Sequence, residues 1–295
     1  MAFDLVPFLT DRKQVIDDAL DRYLPDELEY PEIIHKAMRY SIFAGGKRLR
    51  PILVLTAAEA VGGDIQRVIP AACSVEMLHT YSLIHDDLPA MDDDDFRRGK
   101  PTCHKAFGEA VAILAGDALL THSFHVMTEH SVLPPERVIR AVGELTRAAG
   151  TLGMIGGQVV DISCEGKPTD TETLDYIHRH KTGALLTASV RIGGILAGAE
   201  DRQLEYLTKF GAHLGLSFQI MDDILDIIGE TQKLGKTAGS DQRKQKATYP
   251  ALHGLDAAKS FAKEESVRAI DSVVALGSEA QPLRQIAAYL VSRDR

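Results

Sequence analysis

Apolar residues recur every three to four positions along most of the chain, the spacing that places them on one face of an α-helix. No stretch shows the alternation of apolar and polar residues that is typical of a half-buried strand. The pattern predicts ten helices, each placed to within about 2–4 residues at its ends. They span roughly residues 10–23, 31–43, 51–62, 66–88, 105–130, 135–150, 172–198, 201–229, 256–276 and 280–292. The predicted fold class is all-α.

Prolines and glycines agree with these boundaries. Pro31 and Pro135 each stand in the first turn of a predicted helix, where the missing N–H has no helical partner to lose. Gly62 and Gly63 follow the end of another predicted helix. The chain contains no internal repeat and no Pro/Ser-rich linker. We therefore expect residues 1–295 to form a single domain.

The charge balance narrows the choice of partners. The chain carries 42 acidic and 33 basic side chains, a formal net charge of −9, and 45% of its residues are hydrophobic. Such a protein can bury a full core but repels the phosphate backbone of nucleic acid. We expect no nucleic-acid partner. An anionic small molecule can still bind where basic side chains or divalent cations are concentrated.

Cysteine usage and hydropathy indicate the compartment. Cys73, Cys103 and Cys164 are scattered and form no CxxC pair, which favours a reducing compartment over a disulfide framework or a zinc site. Asp117 and Arg191 interrupt the two most apolar stretches, and the first residues lack the pattern of a signal peptide. We expect a cytoplasmic protein without a membrane span, which would carry any apolar substrate inside its fold.

Three aspartates share one face of the predicted helix 201–229. Asp222 and Asp223 lie four and three residues before Asp226, so the carboxylates point the same way and repel one another. Carboxylate oxygens combined with substrate phosphates are the ligands that Mg²⁺ prefers. The alternative is an acidic helix face in solvent, where most charge runs lie.

A second aspartate cluster, DDLPAMDDDD, ends the predicted helix 66–88. On an ideal helix Asp86 and Asp92 would point to different sides. Pro89 breaks that helix, because it lacks the backbone donor and crowds the carbonyl of His85. We predict a local bulge that folds Asp92 back towards Asp86. A solvated acidic run at a helix end is again the alternative.

Basic residues are grouped where a diphosphate site would need them. They are Lys47, Arg48 and Arg50 after two glycines, Arg97, Arg98 and Lys100 after the first aspartate run, Lys181 in the predicted helix 172–198, and Lys236 and Lys246 beyond the second cluster. Arg97 and Arg98 could instead neutralise Asp92–Asp95, and Lys47 and Arg48 could cap a helix. For Arg48, Lys100 and Lys244 we favour such a structural role.

Six motifs follow one another along the chain. They are GGKRLRP from position 45, HTYSLIHDDLPAMDDDDFRRGKPTCH from 79, GGQ from 156, KTG from 181, FQIMDDILD from 218 and KATYP from 246. In this combination the chain resembles the bacterial-type farnesyl diphosphate synthases of the trans-isoprenyl diphosphate synthase (polyprenyl synthetase) family. The resemblance is clearest from Pro31 to Pro250. Gln245 departs from it, because many members have glycine there.

The resemblance implies an isoprenoid synthase fold, a bundle of about ten or more helices around a central cavity. It also implies that Asp86, Asp92 and Asp222 bind Mg²⁺, three ions per active site, and that these ions hold an allylic diphosphate. The residues that would support these ligands are Asp87, Asp223 and Asp226.

The same resemblance implies two diphosphate sites. Contacts with the allylic diphosphate would come from Arg97, Lys181 and Lys236, and the substrate-binding Lys246 would lie in a flexible stretch that closes over the allylic site. Thr182 and Gln219 would lie close to the developing cation. Isopentenyl diphosphate would be held by Gly46, Lys47, Arg50, His79 and Arg98. The C-terminal Arg293 and Arg295 resemble a basic tail found in relatives, and a homodimer is implied by the resemblance alone.

The implied reaction joins isopentenyl diphosphate head to tail to dimethylallyl or geranyl diphosphate. Breaking the allylic C–O bond is the difficult step, and positive charge around the leaving diphosphate lowers its barrier. Tyr81 lies five residues before Asp86, about one and a half helical turns deeper. We expect its ring to form the pocket floor and to stop growth at farnesyl diphosphate, although it could equally be an ordinary core tyrosine.

Other activities compete with this interpretation. A geranylgeranyl or geranyl diphosphate synthase would differ only in pocket depth. A metal-dependent phosphohydrolase, suggested by His85 and Asp86, would need further histidine ligands that the sequence does not assign. A terpene cyclase usually lacks the second aspartate motif and GGKRLRP. A non-catalytic regulatory subunit should have lost one aspartate motif, and both are intact here.

Overall fold

Helices form almost all of the regular structure in the computed structural model, which describes residues 3–228 and 247–292. Fourteen α-helices lie in these residues: α1 Leu5–Tyr23, α2 Glu32–Ile42, α3 Leu49–Ala60, α4 Ile69–Asp86, α5 Cys103–Phe107, α6 Glu109–Glu129, α7 Pro135–Ala149, α8 Met154–Cys164, α9 Thr171–Ile177, α10 Ala184–Ala197, α11 Asp201–Ile228, α12 Tyr249–His253, α13 Leu255–Ser272 and α14 Gln281–Ser292. The predicted all-α class is confirmed.

Short elements join these helices. Single 3₁₀ turns lie at Ile65–Val68, Val274–Leu276 and Ser278–Ala280, and a two-stranded hairpin pairs β1 Phe96–Arg97 with β2 Lys100–Pro101. Several predicted positions lie outside the described residues: Lys236, Lys244, Gln245, Lys246, Arg293 and Arg295.

The helical predictions need correction at four places. The predicted helix 105–130 is divided into α5 and α6 at Gly108, whose φ of 84° ends α5, and the short helix α12 was not predicted. The predicted helix 172–198 is interrupted by a π-helical turn at His178–Gly183, between α9 and α10. Helix α8 was not predicted at all, because its GGQ segment contains two glycines. Each glycine costs about 1 kcal/mol relative to alanine in an isolated helix, so tertiary packing decides this element.

The chain divides into two compact units, and each contains one of the aspartate clusters. One unit comprises Val6–Ile52 and Ile69–Val132, and in it α4 packs along α6 while α2 packs against both. We call it the α4 unit. The other contains Leu53–Val68 and the described residues from Leu133 onward, and in it α11 packs against α10 and α13. We call it the α11 unit. A single domain over 1–295 stays a prediction.

Helix α6 is the one described helix that is long and apolar enough to cross a membrane, judged by length and composition alone. The core helix of a soluble protein passes the same test. One side of α6 is buried, with Ala112, Ala115 and Leu119 fully enclosed, where it packs along α4. The expected lack of a membrane span stays a prediction.

Candidate active site

The backbone after α4 turns back on itself. The N–H of Asp92 donates to the carbonyl of Asp86 at 2.8 Å, and the N–H of Asp93 donates to the carbonyl of Leu88 at 3.1 Å. Asp93 adopts a left-handed conformation with φ of 52°, which aspartate tolerates better than most residues. The predicted bulge is therefore confirmed, and it brings the backbone of Asp92 to that of Asp86.

Arg97 forms a two-pronged ion pair with Asp87. Its Nε lies 2.8 Å from both carboxylate oxygens, and its Nη2 lies 2.5 Å from Oδ1. Burial raises the pKa of the Asp87 carboxyl, and the hydrogen bond from Arg97 offsets part of that shift. Arg97 thus neutralises an aspartate, as the structural alternative held, but the aspartate is Asp87 and does not belong to the run 92–95.

Glycines 45 and 46 make room for Arg98. The Arg98 guanidinium donates to the carbonyl of Gly45, and a Cβ on Gly46 would lie 2.7 Å from its Nη1. Gly46 also has a φ of 116°, which residues with side chains rarely adopt. The GGKRLRP motif therefore begins with glycines because an arginine lies directly on the backbone there.

A second arginine of the α4 unit binds a neutral histidine. Nη1 of Arg50 lies 3.2 Å from Nε2 of His79, and since arginine is always a donor, the imidazole nitrogen accepts. Burial lowers the pKa of His79 well below its usual value, and the positive charge of Arg50 and then Arg98 adds to the effect. Four residues that were predicted to hold isopentenyl diphosphate, Gly46, Arg50, His79 and Arg98, therefore form two contacting pairs in one unit.

Lys47 and Arg48 are adjacent but differ in environment. Arg48 is 3% exposed and donates to Asp17, to Glu76 and to the carbonyl of Ile42 at 2.7–2.8 Å. The predicted structural role of Arg48 is confirmed. Lys47 is exposed, so it can reach a ligand.

Lys100 has a structural contact too. Its ammonium lies 6.0 Å from the centre of the Tyr40 ring, whose hydroxyl donates to the carbonyl of Pro101 at 2.8 Å. This arrangement packs β2 against α2, in line with the structural role that the sequence favoured for Lys100.

Tyr81 lies on α4 and is 6% exposed. Burial raises the pKa of its hydroxyl, and the charge of Asp86 raises it further. The ring meets that of His85 edge to face, with centroids 5.7 Å apart. Tyr81 is thus a buried ring about one and a half turns from the end of α4, as both a pocket floor and a core tyrosine would require.

In the α11 unit the π-helical turn presents Lys181 and Thr182. A Cβ on Gly157 would lie 2.2 Å from the backbone nitrogen of Lys181, and a Cβ on Gly215 would lie 2.7 Å from the Cα of Gly183. Both glycines therefore allow neighbouring helices to approach the turn at backbone distance. A π-turn widens a helix locally and often marks a functional site.

The side chains of that turn are held by hydrogen bonds. Nζ of Lys181 donates to Oδ2 of Asp161 at 2.7 Å, and Oγ1 of Thr182 donates to Oε1 of Gln219 at 2.7 Å. The amide of Gln219 then donates to Asp223 at 3.3 Å. The structure thus brings Thr182 and Gln219 together. Their place beside the developing cation stays a prediction. Asp161 was missed, although it follows GGQ by only three residues.

Asp223 is the buried centre of this network. It is 3% exposed and accepts from the backbone N–H of Tyr249 at 3.0 Å. Nε2 of His178 lies 3.4 Å from the same carboxylate, and burial lowers the pKa of His178 to about 3. Asp226 is also 3% exposed, whereas Asp222 is only half-buried. The burial of Asp223 and Asp226 agrees with the expectation that they support the metal ligands and do not themselves bind the metal.

His178 and Tyr249 were not singled out from the sequence. Their rings stack with centroids 5.3 Å apart, and the Tyr249 hydroxyl donates to Asp175. The only signal was the place of Tyr249 in KATYP, whose spacing does not indicate its partners.

Carboxylates that could take part in metal binding lie in both units. In residues 3–228 and 247–292 no three His, Cys, Asp or Glu side chains form a ready-made metal cage. Mg²⁺ does not need one, because it keeps several waters and binds through one or two carboxylates and substrate phosphates. Asp86, Asp92 and Asp222 are each partly exposed, as carboxylates that bind such a hydrated ion would be. Nε2 of His85 donates to the carbonyl of Ile113 at 3.0 Å, so this nitrogen is not free to bind a metal.

Comparison with known proteins identifies the relatives of this chain. A family model described as polyprenyl synthetase matches residues 31–279. The chain is 54% identical over 254 residues to a farnesyl diphosphate synthase of Geobacillus stearothermophilus, and the aligned residues cover 85% of each protein. It is 49% identical over 300 residues to the heterodimeric geranylgeranyl pyrophosphate synthase large subunit 1, chloroplastic, of Arabidopsis thaliana, covering 99% of this chain and 80% of that protein.

A solved structure agrees with these relatives. The geranyltransferase from Helicobacter pylori, complexed with magnesium and isoprenyl diphosphate, matches with a TM-score of 0.86 at 32% identity. The match covers 99% of this chain and 97% of the other. The agreement in fold extends over both units.

Proposed function

This chain belongs to the polyprenyl synthetase family, and we propose that it is a prenyltransferase that makes farnesyl diphosphate. It adds isopentenyl diphosphate head to tail, first to dimethylallyl and then to geranyl diphosphate. The observation that carries the proposal is the paired arrangement of Gly46 with Arg98 and of Arg50 with His79. Arginines grouped beside a glycine-rich backbone suit a diphosphate. In a protein with a net charge of −9, such a local concentration of positive charge indicates a site for an anion.

Isopentenyl diphosphate binds at these two pairs, with Lys47 closing on it from solvent. Arg50 is oriented by His79, and Arg98 is oriented by the carbonyl of Gly45. Forked guanidinium donors match phosphate oxygens and hold the nucleophilic double bond in line with the reacting carbon.

The allylic diphosphate is held by Arg97 and Lys181, together with Lys236 and Lys246. Asp86, Asp92 and Asp222 would hold Mg²⁺, three ions per active site, and the ions supply Lewis-acid stabilisation to the leaving diphosphate. Lys181 is oriented by Asp161 and Arg97 by Asp87, so neither cation needs to reorganise when charge develops on the leaving group.

Thr182 and Gln219 face the carbon chain of the allylic substrate. Because the Thr182 hydroxyl donates to Gln219, its oxygen lone pairs remain available to the developing cation. The cation that forms when the double bond of isopentenyl diphosphate attacks loses a proton to the departed diphosphate, so no side-chain base is needed. The double bond itself is the nucleophile.

The fifteen-carbon product is supported by the 54% identity to the Geobacillus farnesyl diphosphate synthase and by the buried ring of Tyr81. The alternative is a geranylgeranyl diphosphate synthase, which the name of the Arabidopsis relative favours. The difference lies in pocket depth, because each added isoprene unit gains burial only if there is apolar space for it. The cytoplasmic location and the homodimer stay predictions.

The test is incubation with labelled isopentenyl diphosphate, dimethylallyl diphosphate and MgCl₂, followed by sizing of the dephosphorylated alcohols. We expect one fifteen-carbon alcohol and no product after chelation of the metal. A twenty-carbon alcohol would replace the proposed product by the alternative. Release of phosphate without consumption of isopentenyl diphosphate would indicate a phosphohydrolase, and no turnover at all would favour a non-catalytic subunit.

A further inference from the structure

His85 is fixed at the end of α4 by contacts with α6. Its Nε2 carries a proton and donates it to the carbonyl of Ile113 at 3.0 Å. The side chain is 29% exposed, and Nε2 also lies 3.9 Å from Oδ1 of Asp117. Both contacts come from one turn of α6, so the ring has one preferred position.

Gly116 forms the slot in which this ring lies. A Cβ on Gly116 would lie 2.1 Å from Nε2 of His85 and 2.5 Å from its Cδ2, far inside contact distance. Any larger residue at 116 must therefore displace the imidazole. Gly116 lies inside a helix, where glycine is unfavourable on its own account, so the slot explains why it stands there.

The ring held in this slot contacts Tyr81. The two residues are one helical turn apart on α4, and their rings meet at an interplanar angle of 81° with centroids 5.7 Å apart. Edge-to-face contact is a favoured geometry for aromatic pairs and restrains both rings.

We propose that His85 is a positioning residue for product length, which holds the Tyr81 ring across the pocket through its own anchorage at Gly116 and Ile113. This inference rests on the proposed function, because it assumes that Tyr81 is the pocket floor. A growing prenyl chain would bury more apolar surface if the Tyr81 ring moved aside. The ring therefore stops elongation only if a neighbouring side chain keeps it in place. The ring of His85 supplies that restraint.

The ratio of twenty-carbon to fifteen-carbon product is the appropriate readout. It reports how often a bound intermediate is extended again before release, and it does not depend on the overall rate. His85→Ala removes the ring and should raise the ratio by about twofold to tenfold, the factor that corresponds to the worth of an aromatic edge-to-face pair. Tyr81→Ala should raise it further.

His85→Gln separates positioning from stability. The glutamine amide can still donate to the carbonyl of Ile113 but offers no ring to Tyr81. We expect the product ratio of His85→Gln to rise as in His85→Ala, while its melting temperature stays near that of the wild type. A variant that fails to fold would lose activity and stability together.

Gly116→Ala tests the slot while leaving both His85 and Tyr81 in the sequence. It should expel the imidazole and raise the product ratio in the same direction. In a His85→Ala background the same substitution should have no further effect, because no ring is left to displace. Gly143→Ala in α7 is the matched control, since a Cβ there meets no described atom within 4 Å.

The outcomes are distinguishable. A wild-type enzyme that makes no prenyl product defeats the proposed function. If Tyr81→Ala does not lengthen the product, Tyr81 is not the pocket floor and this inference is wrong as well. If Tyr81→Ala lengthens the product but His85→Ala and His85→Gln do not, the inference alone is wrong. An effect of Gly116→Ala that persists undiminished without His85 would also overturn it.

Discussion

Arg97 holds both carboxylate oxygens of Asp87, with its Nε 2.8 Å from each. Asp87 has a side chain only 4% exposed, whereas that of Arg97 is 30% exposed. The aspartate is therefore the buried support, and the arginine is the member that can also reach a ligand. A cation that the resemblance assigns to the diphosphate is thus oriented before any substrate arrives.

We predict that Arg97→Ala is destabilising, because it leaves a buried carboxylate without its partner. The free energy of unfolding should fall by roughly 2–4 kcal/mol, less than for a fully buried pair because Arg97 is partly in solvent. Urea unfolding measures the change. The double variant Arg97→Ala/Asp87→Asn should recover part of the loss, and equal instability of the single and double variants would contradict the ion-pair explanation.

Lys47 and Arg48 offer a matched comparison between neighbours. Arg48→Met leaves the acids Glu76 and Asp17 without their buried donor, so we expect a loss of about 3–5 kcal/mol in urea unfolding. Lys47→Met removes an exposed cation, so stability should hold within about 0.5 kcal/mol. Its KM for isopentenyl diphosphate should instead rise about tenfold, the loss expected for one charged hydrogen bond. A loss of stability in Lys47→Met would contradict this division.

Gly157→Ala should distort the π-turn, because the added methyl group would overlap the backbone nitrogen of Lys181. We expect a loss of about 1–3 kcal/mol in stability from the forced backbone shift. Turnover should also fall at saturating substrate, because Lys181 moves away from its working position. Thermal melts and kcat check both effects. Gly143→Ala, which adds its methyl group in open space, is the control and should be neutral or slightly stabilising.

His178 makes stability depend on pH. In the folded protein burial lowers the pKa of His178 to about 3, whereas the ordinary pKa of histidine is about 6.5. The unfolded chain therefore binds a proton first as the pH falls. The stabilisation that the neutral His178 gives the folded state is fully present above pH 6.5. Below pH 6.5 the free energy of unfolding falls by about 1.4 kcal/mol per pH unit on its account.

His178→Phe keeps a ring beside Tyr249 but cannot titrate. Its free energy of unfolding, measured in urea between pH 6 and pH 4, should fall less steeply than that of the wild type by about 1.4 kcal/mol per pH unit. Parallel slopes for the two proteins would show that His178 is not held neutral in the folded state.

The helices and the bulge after α4 could be predicted because their causes are local. A 3.6-residue apolar period acts within one helix, and Pro89 breaks α4 through its own ring and its missing N–H. The structural role of Arg48 was also anticipated. The π-turn at His178–Gly183 was not predicted, because it depends on helices that approach it from elsewhere in the chain.

The sequence by itself determined the all-α class, the order of the motifs and the presence of two aspartate clusters with cations around them. Only the tertiary structure decided which of these groups meet. Arg97 pairs with Asp87, and Lys181 pairs with Asp161, twenty positions away. Asp223 accepts a hydrogen bond from the N–H of Tyr249, twenty-six positions away. The physical reason is that hydrogen bonds and ion pairs act over about 3 Å in space, and the packing of helices brings together residues whose separation along the chain carries no record of the contact.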